Sequence, residues 1–216
     1  MQKLIRGYER FRSEVYPVRR RQFEKLAGGQ SPEVLLLTCS DSRIMPEMLF
    51  QAEPGELFVC RNAGNLAPRY GEPDGGVSGA IEFGVLGLQV KHIVVCGHSD
   101  CGAMRALLNP EMVGGLPAIA SWVRRSGVQE RPAADAKPEE RLRTVIRENV
   151  LVQIENLLTH PAVASSVVRG DLTLHGWVYD IGSGRIECYD GGARRFVAIE
   201  EAELSAVGQG LLQKAS

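Results

Sequence analysis

Apolar positions along this chain fall into two rhythms. "EVLLLTC" (33 to 39), "GELFVCR" (55 to 61) and "HIVVCGH" (92 to 98) are short unbroken apolar runs bounded by proline, glycine or polar clusters, the pattern of buried parallel strands. Elsewhere the spacing is three and four. Leu4, Tyr8, Phe11 and Val15 share a helical face, with Pro17 breaking or kinking the run, and a second helix over about 18 to 27 ends at Gly28-Gly29. Between the second and third strands, residues 75 to 90 put Val77, Ile81, Val85 and Leu88 on one face, with small residues that allow close approach to a sheet; this predicts a crossover helix. Residues 140 to 160 carry the strongest amphipathic pattern, 171 to 192 read as two strands around a Gly-Ser-Gly turn, and the proline-broken stretch 126 to 140 reads as a loop. Strands alternating with helices predict an α/β fold: a single domain with a mostly parallel central sheet, one antiparallel edge strand, flanking helices and an N-terminal helical arm. Its expected parts are N-terminal helices (1–28), an α/β core (33–192) and a C-terminal segment (193–216).

Composition narrows the class. The length of 216 residues suits one large domain, and with 44% hydrophobic and 24% charged residues no stretch approaches the roughly 18 apolar residues of a membrane span. Charges run through the N-terminus, unlike a secretory signal, so the expectation is a cytoplasmic protein with no membrane partner. A net charge of −1 argues against a nucleic-acid partner. "RRR" (19 to 21) reads as a solvated helix face, or else as a contact to an acidic surface on a partner subunit. Five cysteines, at 39, 60, 96, 101 and 188, read as reduced thiols, and reduced thiols can hold metal.

Two of the apolar runs end alike. "LLLTCSDSR" (35 to 43) closes on Cys39, Asp41 and Arg43, and "VVCGHSDCGAM" (94 to 104) closes on His98 and Cys101. In open α/β sheets sites form beyond the carboxyl ends of strands, where such segments meet. Two thiolates and an imidazole suit zinc and leave a fourth position open for water. Taken alone, His-x-x-Cys reads equally as a pair of buried structural thiols. Asp41 and Arg43 favour a site: an arginine there can hold the carboxylate off the metal in a bidentate pair, free to accept the hydrogen bond of a zinc-bound hydroxide. Cys60, Cys96 and Cys188 lack such neighbours and read as structural; His175, inside a strand pattern, reads as a core or interface histidine, and His92 as the start of a strand.

"CSDSR" (39 to 43) followed by "GHSDCG" (97 to 102) resembles the β-class carbonic anhydrases, and the likeness continues through 54 to 65, 75 to 83 and 174 to 186. Within that class the chain is similar to the bacterial cyanate-operon-type and plant-type branches. The resemblance implies zinc on Cys39, His98 and Cys101, with Asp41 and Arg43 as the catalytic dyad. It also implies substrate contacts at Gln30, Phe58 and Phe83. Gln30 then reaches the site from a neighbouring subunit, so a homodimer or larger assembly is expected. Phe83 stands where the plant-type pocket often has a tyrosine, and Ile44 adds to the apolar wall. The implied reaction is the reversible hydration of carbon dioxide to bicarbonate and a proton through zinc-bound hydroxide. Two thiolates donate more charge than neutral histidines, so activity is expected to rise through mildly alkaline pH. Some bacterial members carry a tryptophan of an inhibitory bicarbonate pocket where this chain has Leu36, so Asp41 is expected to stay off the metal at neutral pH. The competing readings are carbon disulfide or carbonyl sulfide as substrate on the same fold, and a non-enzymatic zinc or redox module built on Cys39 and Cys101.

Overall fold

In a computed structural model that describes residues 1–73, 76–129 and 136–202, the apolar runs form the middle of a six-stranded sheet. Its strands are β1 (Val34–Cys39), β2 (Leu57–Asn62), β3 (His92–His98), β4 (Thr173–Tyr179), β5 (Ile186–Asp190) and β6 (Arg195–Ala198), in the order β2-β1-β3-β4-β5-β6. The pairs β2-β1, β1-β3 and β3-β4 are parallel, and the antiparallel edge is two strands wide, β5 and β6. At four residues β6 is too short for its alternation to stand out, and it begins the stretch expected only as a C-terminal segment. Residues 203–216 of that segment and 130–135 of the expected loop lie outside the described residues, as do 74 and 75 at the start of the expected crossover helix.

The arm is α1 (Gln2–Arg10) and α2 (Tyr16–Leu26), joined by a π-helical turn over Phe11–Val15. Pro17 sits in the first turn of α2, where its missing N–H costs least, so the helical path widens for one turn and continues. No residue of α1 or α2 is buried. Further on come α3 (Pro46–Leu49), α4 (Val77–Glu82) with a π-helical turn over Phe83–Gly87, and α5 (Gly102–Leu108). The remaining helices are α6 (Pro117–Arg124), α7 (Pro138–Leu158) and α8 (Pro161–Val168). Sequence periodicity does not reveal α6 and α8, since eight residues hold barely two turns; each opens on a proline, a start signal that stands out only in hindsight.

Helix α7 packs across β3 and β4. It comes close because two strand positions beneath it are glycine: a Cβ on Gly176 would lie 2.9 Å from both Ile154 and Val150, and one on Gly97 would lie 2.9 Å from Val150. Its inward face holds Val145, Ile146, Val150, Ile154 and Leu157, together with Asn149, Gln153 and Asn156. With Leu35, Leu37, Ile93, Val95 and Leu174 these apolar side chains make the main core. Among the described residues the opposite sheet face carries a smaller apolar cluster, Leu36, Val94 and Cys96, ringed by half-buried Val34, Phe50, Val59, Trp177 and Tyr179. Among the described residues no helix is long and apolar enough to cross a membrane.

Candidate metal centre

Parallel pairing of β1 with β3, with Thr38 level with Cys96, brings the last residues of both strands to one edge of the sheet. Cys39 ends β1 and His98 ends β3; Cys101 follows on a turn whose Asp100 takes a left-handed φ of +58°. One ligand atom each from Cys39, His98 and Cys101 lies within 4.8 Å of the others, and all three residues are buried. His98 Nδ1 is 2.9 Å from the Ser99 carbonyl, which holds the proton on that nitrogen and leaves a lone pair on Nε2. Nε2 is buried without a hydrogen-bond partner in the protein. The Cys39 thiol is held below its ordinary pKa, first by the thiol of Cys101 and further by His98 and the N–H groups of Gly64 and Asp41, against the effect of burial. Cys101 is pushed far up by its hydrogen bond with Cys39, then by burial. One thiolate thus forms readily, and its neighbour ionises only with positive charge between them. An orphaned imidazole lone pair beside two such sulfurs is a cradle for a divalent cation.

Asp41 and Arg43 meet in a bidentate pair, Nε to Oδ1 at 2.9 Å and Nη2 to Oδ2 at 2.8 Å. The pair leaves Asp41 Oδ2 4.0 Å from His98 Nε2. The Arg43 guanidinium holds the Asp41 carboxyl well below the usual carboxylate range. Arg43 also donates to the side chain of Asp100 at 3.0 Å and to its carbonyl at 3.2 Å, and Asp100 accepts from Arg105 Nε at 2.5 Å. Asp100 and Arg105 carry no role in the sequence reading; the available signal was an acid in the turn between His98 and Cys101, with an arginine one helical turn beyond. Arg61 is a second omission. It pins residues 39 to 44 by donating to the carbonyls of Cys39, Asp41 and Ile44 at 2.9 to 3.0 Å.

Gln30 and Phe58 lie elsewhere. Phe58 pairs with Leu35, four residues before Asn62, the partner of Cys39, which at about 3.3 Å per residue is some 13 Å along the strand. Its ring meets that of Phe83 at 5.9 Å between centroids. Gln30 precedes β1 and lines a shallow recess with Leu26, Ala27, Gly29 and Gly55, at the opposite end of the sheet from Cys39. A single chain therefore does not bring Gln30 and Phe58 to its own cluster. Ile44 is buried close to it in sequence, Leu36 is buried on the second sheet face, and His175 is paired with His92, Nε2 to Nδ1 at 3.2 Å, away from the cysteines. Burial pushes the Cys96 thiol up to about 12 and raises that of Cys188.

The sequence profile of the carbonic anhydrase family matches residues 34–186, a span that contains the whole cluster and five of the six strands at least in part. The chain belongs to the carbonic anhydrase family. A carbonic anhydrase of Pseudomonas aeruginosa is 49% identical over 212 residues, 96% of this chain and 96% of that protein. The class is β: the β-carbonic anhydrase CcaA superimposes with a TM-score of 0.92 at 40% identity, covering 97% of this chain and 96% of that one. A tetrameric β-carbonic anhydrase of Sordaria macrospora matches with a TM-score of 0.70 at 33% identity, over 87% of this chain and 92% of that one. As in any carbonic anhydrase, the chemistry to be accounted for is that of a small apolar gas meeting an activated water.

Proposed function

We propose that this chain hydrates carbon dioxide reversibly to bicarbonate and a proton, using zinc held by Cys39, His98 and Cys101. The observation that carries the reading is the buried Cys-His-Cys cluster beside a carboxylate clamped by an arginine. Two anionic sulfurs and a neutral imidazole balance the charge of a zinc ion and leave its fourth position free. When bound, zinc supplies a nucleophile near neutral pH by acidifying water. Asp41, ionised, can only accept; it orients a donor next to the cluster while Arg43 restrains it from becoming a ligand itself.

Carbon dioxide calls for apolar walls, and bicarbonate for a donor as its charge develops. Phe58 and Phe83 supply the first and the Gln30 amide the second, brought to the cluster by a second copy of the chain. This homo-oligomer is supported by the distance of Gln30 and Phe58 from their own cluster, by Phe83 being 51% exposed in a single chain, and by an arm with no buried residue. The relative in Sordaria macrospora is tetrameric.

The test is stopped-flow hydration of carbon dioxide at pH 7.5 and 8.5 on protein of known zinc content, beside Cys101→Ser. Fast hydration in the wild type, with loss of both zinc and rate in the variant, is the expected result. Stoichiometric zinc with hydration at the buffer rate would overturn the substrate, and turnover of carbon disulfide or carbonyl sulfide would then identify its replacement.

A further inference from the structure

The loop after β2 is held by side chains from far along the chain. Trp122 Nε1, on α6, donates to the Ala63 carbonyl at 2.8 Å. Asn149 donates to the Gly64 carbonyl at 3.0 Å, Gln153 Oε1 accepts from the Ala67 N–H at 2.9 Å, and Asn156 donates to the Ala67 carbonyl at 3.0 Å. These three amides of α7 are buried and bonded to one another, at 2.9 Å and 3.2 Å. One peptide group in the loop bears on the cluster. Its carbonyl, that of Ala63, accepts from Trp122; its N–H, that of Gly64, donates to Cys39 Sγ at 3.3 Å. Gly64 has φ +85°, and a Cβ there would lie 2.9 Å from Ala103, so only glycine lets the peptide settle this near the sulfur.

We infer that Trp122 is a positioning residue of the metal centre, acting through the Ala63-Gly64 peptide on the Cys39 sulfur, with Asn149 bracing the far side of Gly64. The inference rests on Cys39 being a metal ligand. An amide whose carbonyl accepts a hydrogen bond is polarised and donates more strongly from its N–H. A hydrogen bond to a thiolate withdraws charge that the sulfur otherwise gives to the metal, and it fixes the direction of the lone pairs. Trp122 thus sets how much charge Cys39 donates without touching either sulfur or metal.

The experiment uses the full-length protein loaded with cobalt(II), whose sulfur-to-metal charge-transfer band reports the electron density on the thiolates. Trp122→Phe keeps an aromatic ring in place while deleting the N–H donor along with part of the indole; Trp177→Phe, the same change at the chain's other tryptophan, beside Phe50 on the opposite sheet face, controls for the lost ring volume. The expected result is a shift of the band to lower energy in Trp122→Phe, with the band of Trp177→Phe unchanged. Asn149→Ala, which leaves the indole donor intact, is expected to move the band in the same direction. An unmoved band in Trp122→Phe or in Asn149→Ala, or an equal shift in Trp177→Phe, overturns the inference. Failure of the underlying assignment looks different: a wild-type spectrum without a sulfur band, or one that Cys39→Ser leaves unchanged, removes Cys39 as a ligand and the inference with it.

Discussion

Arg43 divides one guanidinium between two aspartates. Its bidentate face goes to Asp41 and its remaining nitrogen to Asp100, which Arg105 holds in turn. A lysine at 43 keeps the charge and loses the fork, so Arg43→Lys is expected to slow carbon dioxide hydration by about 10- to 100-fold with zinc content unchanged, read by stopped flow and metal analysis. His175 supplies a pH effect unrelated to catalysis. Burial, and then its neighbour His92, push its pKa down to about 4, so the folded chain refuses a proton that the unfolded chain accepts near 6.5. The sign follows: acidification from about pH 6.5 to 4 removes stability, up to about 2 kcal/mol once partial exposure is allowed for, and removes no more below that range. His175→Gln is expected to flatten this slope in urea midpoints measured at about pH 6.5, 5.5 and 4.5.

At the scale of elements, α7 is seated closely on the sheet. With Ile154 and Val150 each 2.9 Å from where a Cβ would sit, Gly176→Ala forces the helix outward and is expected to cost about 1–3 kcal/mol, seen as a lower urea midpoint with an unchanged slope. The same helix marks the limit of what its residues disclose in one dimension. Its apolar positions recur at three and four, yet Asn149, Gln153 and Asn156 look like a polar stripe until the loop peptide groups they meet, 85 to 89 residues away, are in place. Strands β1, β2 and β3 were legible because an unbroken apolar run has few other homes; α6, α8 and β6 are too short to leave a period. The candidate metal cluster was legible for a related reason: Cys39, His98 and Cys101, like Asp41 and Arg43, stand within four residues of a strand end. Trp122 and Arg61 act across the fold, and no local spacing announces them.

At the scale of the molecule, the cluster sits at one end of the sheet while Gln30 and Phe58 lie away from it, so the proposed site is complete only with a second chain. Mixing settles this. Cys101→Ser spoils only the metal half and Gln30→Ala only the contact half; in a hybrid dimer one site inherits both defects and the other neither. Unfolding and refolding the two poorly active variants together is expected to restore roughly a quarter of wild-type hydration, whereas a site made within one chain restores none beyond the sum of the parts. The buried bond between Asn149 and Gly64 also has a consequence in time. Those residues are 85 positions apart, and at about 5–20 residues per second a ribosome needs roughly 4 to 17 s to pass from one to the other. Throughout that interval the loop beside Cys39 is unbraced, so the proposed zinc site takes its final form only late in synthesis.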